Sequence, residues 1–141
     1  MYNYNEKKSV VLIDKNCSKV LAINAIAHLA FSMGAKHPGN LGIPLHKLSD
    51  SHSISGITKY PHIIKKATSE KIKNVCKSIE LKDNLSVFLF TDEMLKTGHD
   101  DELRDALSKT SLEQLFIHAA IIFGETSLIN KYTNKFSLLK E

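Results

Sequence analysis

The sequence predicts an α/β fold in which a largely parallel sheet is covered by helices on both faces. Three observations carry this expectation. Short runs rich in β-branched and aromatic residues at 9–14, 85–90 and 117–123 read as core strands. Helical spacing of apolar residues follows each kind of run, at 19–33, 69–79 and 126–132. The chain has 141 residues, 43% hydrophobic and 24% charged, which is the size and composition of one globular domain. A single unit over 1–141 is therefore expected, with a flexible start at 1–7 and a hairpin insertion at 42–58.

The first strand, Ser-Val-Val-Leu-Ile-Asp, is apolar without alternation until it ends at Asp14, as a strand buried on both faces should be. Asn16, Cys17 and Ser18 form a short loop before a helix from Lys19 to about Met33. Gly34 stands where a left-handed cap belongs. That helix is apolar nearly all round, with Val20, Leu21, Ile23, Ile26, Leu29, Phe31 and Met33, so burial on most sides is expected. Asn24, His28 and Ser32 recur every fourth residue and make one polar seam. His28 then reads as a hydrogen-bonded core histidine beside Asn24.

Between 42 and 58, Ile43 and Leu45 alternate with Pro44 and His46. Asp50-Ser51 makes a turn, and Ile54 and Ile57 resume the run. Pro44 assigns its strand to an edge. Pro61 opens a short strand at 62–66, and Thr68 or Ser69 caps a helix that turns Ile72, Val75, Cys76 and Ile79 inward. The strand at 85–90 stops at Thr91-Asp92, and residues 100–107 form a short acidic helix. Gly124 ends the last core strand. Thr126 caps a helix through Tyr132, with Asn134 as its left-handed cap. The connection from 92 to 115 is long enough to cross over or to bring the last strand back antiparallel.

The net charge of +4 is unevenly spread. Residues 59–82 hold seven lysines against Glu70 and Glu80, whereas 92–105 hold six acids against Lys96 and Arg104. A lysine face and an acidic face follow, the first read as a solvated helix surface. Arg104 is the one arginine among 19 basic residues, which argues against bidentate reading of phosphates or bases. Two cysteines make no disulfide framework, and no apolar run or leader pattern suggests a membrane, so a cytoplasmic location is expected. No Gly-rich phosphate loop, nucleophile elbow or metalloprotease helix motif is present. The seven histidines show no ligand spacing, so neither a metal nor a cofactor is expected.

Ligands of open α/β sheets sit outside the carboxyl ends of the strands. Two such ends carry polar groups here: Asp14, Asn16, Cys17, Ser18 and Lys19 after the first strand, and Thr91, Asp92, Glu93, Thr97 and His99 after the second. If the two strands are neighbours, these groups share one cleft. Against this stands the commoner role of Asp after a strand, capping the next turn. Cys17 beside a helix start is a nucleophile only with a lowered pKa and a base near it. A plain turn residue is the ordinary alternative. His118, inside an apolar strand, reads as another hydrogen-bonded core residue.

Three stretches in order resemble a known family. They are 10–14 with the Ala/Asn-rich 21–30, then Gly42-Ile43-Pro44 through Gly56-Ile57-Thr58 to 60–64, and finally Phe123-Gly124 with Ile129, 132–134, Phe136 and 138–140. Together they look like the family numbered domain of unknown function two thousand, which has the fold of type II peptidyl-tRNA hydrolases. The resemblance implies a three-layer α/β/α sandwich with a small mixed sheet, an antiparallel last strand, and a homodimer. Asn134 stands where the family has Gly, and Ser137 where it has Pro.

The enzymes of that fold use a lysine opening the first helix, with an aspartate and threonines after a later strand. By resemblance the lysine position falls at Val20, with Lys19 and Ser18 adjacent. Asn24 stands for a glutamine, and Asp92 for the aspartate. The residues after Asp92 depart from the enzymes' pattern, leaving Thr97 as the candidate threonine. One residue of displacement turns a helical side chain by about 100°, so Lys19 reaches the lysine's place only if the loop compensates. Two readings follow. One is a homodimer that binds a small molecule, a tRNA-like ligand or a partner in the cleft, with Asp14, Asn16, Ser18, Asn24 and Thr91 as binding groups. The other is a hydrolase of an ester or amide such as peptidyl-tRNA, with Asp92, Lys19 and Thr97 at the active site.

Overall fold

The computed structural model describes residues 3–140. In chain order the elements are β1 (Lys7–Asp14), α1 (Lys19–Lys36), β2 (Leu45–Lys47), β3 (Ser53–Ser55), β4 (His62–Ala67) and α2 (Ser69–Ser78). They continue with β5 (Ser86–Thr91), α3 (Asp92–Lys96), α4 (Asp100–Ser108), β6 (Ile117–Glu125), α5 (Thr126–Thr133) and β7 (Ser137–Leu138). Five strands form one mixed sheet in the order β5-β6-β1-β4-β7, and β2 and β3 pair separately.

The sheet corrects the expectation of largely parallel strands. Only β1 and β4 are parallel, with Ser9 opposite His62 and Asp14 opposite Ala67. The β1–β6, β5–β6 and β4–β7 pairs are antiparallel. The long connection after β5 returns β6 antiparallel and seats it between β5 and β1. An apolar run records burial on two faces but no direction, so its pattern is the same either way.

Side chains of β1 alternate between two cores. Val10 and Leu12 join Ile72 and Val75 of α2, Ile129 and Tyr132 of α5, and Ile122 on one face. Val11 and Ile13 join Ala25, Leu29 and Met33 of α1 and Phe90 and Phe123 on the other. Thr68 caps α2 by accepting from Lys71 N at 3.2 Å, and Ser18 caps α1 by accepting from Leu21 N at 3.2 Å.

Helix α1 departs from expectation in two ways. It continues to Lys36 and ends on His37, and no glycine of the described residues has positive φ, so Gly34 is an ordinary helical residue. It also buries a single stripe, Ala22, Ala25, Leu29 and Met33. Val20, Ile23 and Phe31 on the opposite side are 79%, 62% and 84% exposed. The reason is architectural: α1 lies on the sheet by one face, and no other element of the described residues stands over its outer side. The β2–β3 hairpin is likewise exposed along both strands.

The single lysine face is also corrected. Lys65 is buried and donates to Thr133 O at 3.0 Å, at the carbonyl end of α5. Lys73 is buried and donates to Glu113 O at 2.8 Å, while Lys77 pairs with the Glu113 carboxylate. These lysines fasten elements together, while Lys66, Lys71 and Lys82 are exposed as a solvated surface would have them. Asn134 adopts right-handed helical backbone (φ −61°), not the left-handed cap.

Candidate functional site

Strands β1, β4 and β5 point the same way, so the carboxyl ends of β1 and β5 lie at one edge of the sheet. They are not neighbours: β6 runs between them, which separates their axes by about 10 Å. The single shared cleft expected from adjacent strands is therefore split, and the amino end of β6 stands in the gap.

On the β1 side, Asp14 is buried and its Oδ1 lies 3.4 Å from Asn16 N. Ser18 is spent as the α1 cap, and Asn16 and Lys19 are exposed. Burial, and next the Asp14 charge, raise the Cys17 thiol above its ordinary pKa, the opposite of what a thiolate nucleophile needs. Its reading as a turn residue stands.

On the β5 side the ladder is irregular. Phe90 faces Ala119 while Thr91 faces Ile117, so His118 is the extra residue of a β-bulge. The bulge turns the imidazole toward the start of α3. His118 Nε2 meets Asp92 Oδ1 at 3.2 Å, and Lys96 Nζ meets Oδ2 at 2.6 Å. The Lys96 bond, and then that of His118, hold the Asp92 carboxyl below its usual range. Asp92 is thus an ionised acceptor that orients His118. Thr91 is buried, and its hydroxyl has no hydrogen-bond partner among the described residues.

The structure brings Asn24 and Thr97 together in a different place. A cleft of about 570 Å3 lies between α1, β5 and the α3–α4 turn. Asn24, His28 and Ser32 line one wall and Thr97, His99 and Asp100 the other, over a floor of Leu29, Phe88, Phe90 and Met94. His28 is exposed, with its ring 5.9 Å from that of Phe90, so it is not the core histidine expected. The Thr97 hydroxyl donates to Glu93 O at 3.0 Å and keeps its lone pairs available. His99 Nε2 sits 3.3 Å from Glu102 Oε1. Among the described residues no three side chains of His, Cys, Asp or Glu gather in a metal-binding group.

Sequence reasoning placed His99 among the polar groups of the rim but passed over His28 and His118 as site groups. The signal for His28 was present in the i, i+4, i+8 seam, which lines a cleft wall instead of a core. No local pattern announces the His118 bulge, because it exists only against the partner strand.

Residues 7–140 match the family model described as "Protein of unknown function (DUF2000)", and the chain belongs to that family. A solved structure of a protein of unknown function, Atu0240 from Agrobacterium tumefaciens strain C58, superposes with a TM-score of 0.84 at 17% identity. The match covers 96% of this chain and 98% of that one, and at that identity it speaks for the fold alone. No significant match is found among curated proteins. No helix of the described residues is long and apolar enough to cross a membrane.

Proposed function

We propose that this member of the DUF2000 family binds a small ligand in the cleft between α1 and the α3–α4 turn. One observation carries the reading: the Asn24–His28–Ser32 seam faces Thr97, His99 and Asp100 over an apolar floor. A concave apolar surface with a few convergent polar groups is the usual make-up of a small-molecule site. An amide, imidazoles and hydroxyls both donate and accept, which suits a flat heteroaromatic ligand with a polar edge. The test is a titration of 15N-labelled protein with heteroaromatic fragments, adenosine among them. Shifts should cluster at 24, 28, 97 and 99 and vanish in His28→Ala combined with Thr97→Val. Shifts confined to other surfaces would reject the reading.

The same proposal includes a homodimer. Its support is the exposed ridge of Val20, Ile23 and Phe31 on α1, together with the exposed Ile43, Leu45 and Ile54 of the hairpin. An apolar patch of this kind is the ordinary mark of a protein interface. Sedimentation velocity checks it, with Phe31→Glu expected to yield the protomer. The mixed sheet with helices on both faces supports a place among type II peptidyl-tRNA hydrolase-like α/β/α domains, as one unit over 1–141. The two unpaired cysteines support a cytoplasmic location.

A hydrolase reading is favoured by the Asp92–His118 pair. An imidazole oriented by an ionised carboxylate is the arrangement used to move a proton during ester cleavage. In this reading Lys19 serves as the cation, and Thr97, whose hydroxyl hydrogen is held by Glu93 O, serves as an acceptor. Cleavage of an N-blocked aminoacyl-tRNA, abolished by Asp92→Ala and by His118→Ala, would support it; no turnover at high protein concentration would remove it.

A further inference from the structure

The other flank of α1 borders a second cavity, of about 490 Å3, at the opposite end of the sheet. Its walls include Met33, Tyr60, Ile121 and Phe123, with Ser9, His37, Asn40, Thr58 and His62 as the polar residues among them. Gly34 lies in the α1 wall, and a Cβ built there meets nothing within 4 Å. A glycine inside a helix costs about 1 kcal/mol relative to alanine. Here neither a positive φ nor a close backbone contact requires it. What its missing side chain does provide is open space in the cavity wall.

The polar groups are paired so as to leave donors over. Ser9 Oγ lies 3.0 Å from His62 Nδ1, and His37 Nε2 lies 2.9 Å from Ser86 Oγ. A neutral histidine and a serine own two polar hydrogens between them, and one is spent within the pair. Each couple therefore has one donor left. Burial lowers the pKa of both imidazoles, and the charges of Lys36 and Lys7 add to the effect at His37.

The surroundings are cationic. Lys7 Nζ stands 5.9 Å from the centre of the Phe123 ring, and Lys59 Nζ 5.2 Å from that of Tyr60. Glu125, across the ladder from Lys7, accepts from the Ser127 hydroxyl at 2.6 Å.

We propose that this cavity binds a small hydrophobic monocarboxylate. Its apolar body lies against Met33, Ile121 and Phe123, and its carboxylate takes the spare donor of the Ser9–His62 couple and the free ring nitrogen of His37 within the field of Lys7. This site is independent of the cleft on the other flank of α1.

The probes are octanoate, octanol and octylamine, titrated calorimetrically and by 15N-resolved spectra. Octanoate should bind with shifts at Ser9, Gly34 and His62. Octanol, lacking the charge, should bind about tenfold or more weakly, and octylamine not measurably. Added salt should weaken octanoate. Gly34→Leu should abolish binding with an unchanged or raised Tm, because it fills the space and improves helix propensity. His62→Ala combined with Lys7→Ala should weaken octanoate while sparing octanol. Equal binding of the acid and the amine, or full octanoate affinity in Gly34→Leu, would overturn the proposal, as would no binding of octanoate at all.

Discussion

His118 Nε2 lies 3.2 Å from Asp92 Oδ1, across the point where β6 carries one residue more than β5. The contact closes the sheet edge between the two strand ends that the sequence marks as polar. Its electrostatics have a measurable sign. With its folded pKa depressed below 3.8, the ionised Asp92 adds stability above that value and loses it as pH falls through the folded pKa. Asp92→Asn should therefore be less stable than the wild type near neutrality and equal to it once the Asp92 carboxyl of the wild type is protonated in both its folded and unfolded chains. Urea unfolding at the two ends of that range checks this.

His62 and His37 give an acid limb of a different origin. Both have folded pKa values below 6.5, so the unfolded chain takes up their protons first. Stability should be full above pH 6.5 and decline as the solution is acidified below it. His62→Gln should flatten that decline, and Tm against pH is the readout.

Truncations should separate core from surface. Ile129 is fully buried where α5 meets β1 and β6, so Ile129→Ala should cost about 2–5 kcal/mol. Phe31→Ser should leave the folded protomer's stability within about 0.5 kcal/mol, because that ring touches little of its own chain. Chemical denaturation of each variant at a concentration where only protomer is present gives the comparison.

The hairpin hinges on Gly56. Its N–H donates to Pro44 O at 2.9 Å, and a Cβ there would fall 1.7 Å from Ile43 O. Gly56→Ala should separate the two arms of the hairpin, speeding proteolysis within 41–58 while the Tm of the body changes little.

What the sequence made legible follows from the range of each interaction. The core runs of β1, β5 and β6, the Thr68 cap and the inward Ile72 and Val75 are local patterns, and the structure has them where the patterns indicate. The order of the strands is not local: β6 lies between β5 and β1, and that position alone divides the expected cleft. The same limit explains α1. Its apolar residues do call for cover, but a single sheet face covers only Ala22, Ala25, Leu29 and Met33. Asn24 and Thr97 were recognisable as site residues through resemblance. Their companion His28 needed the fold, as did the meeting of His99 with α1, since the α3–α4 turn carries His99 there from far along the chain.

The seam of α1 and the α3–α4 turn are proposed to enclose a binding site. The most direct measurement is the 15N titration with heteroaromatic fragments, run on the wild type and on His28→Ala/Thr97→Val. Saturable shifts are expected at Asn24, His28, Thr97 and His99 in the wild type, and their loss in the double variant. Saturable shifts that persist unchanged in the double variant, or that avoid these residues, would contradict it.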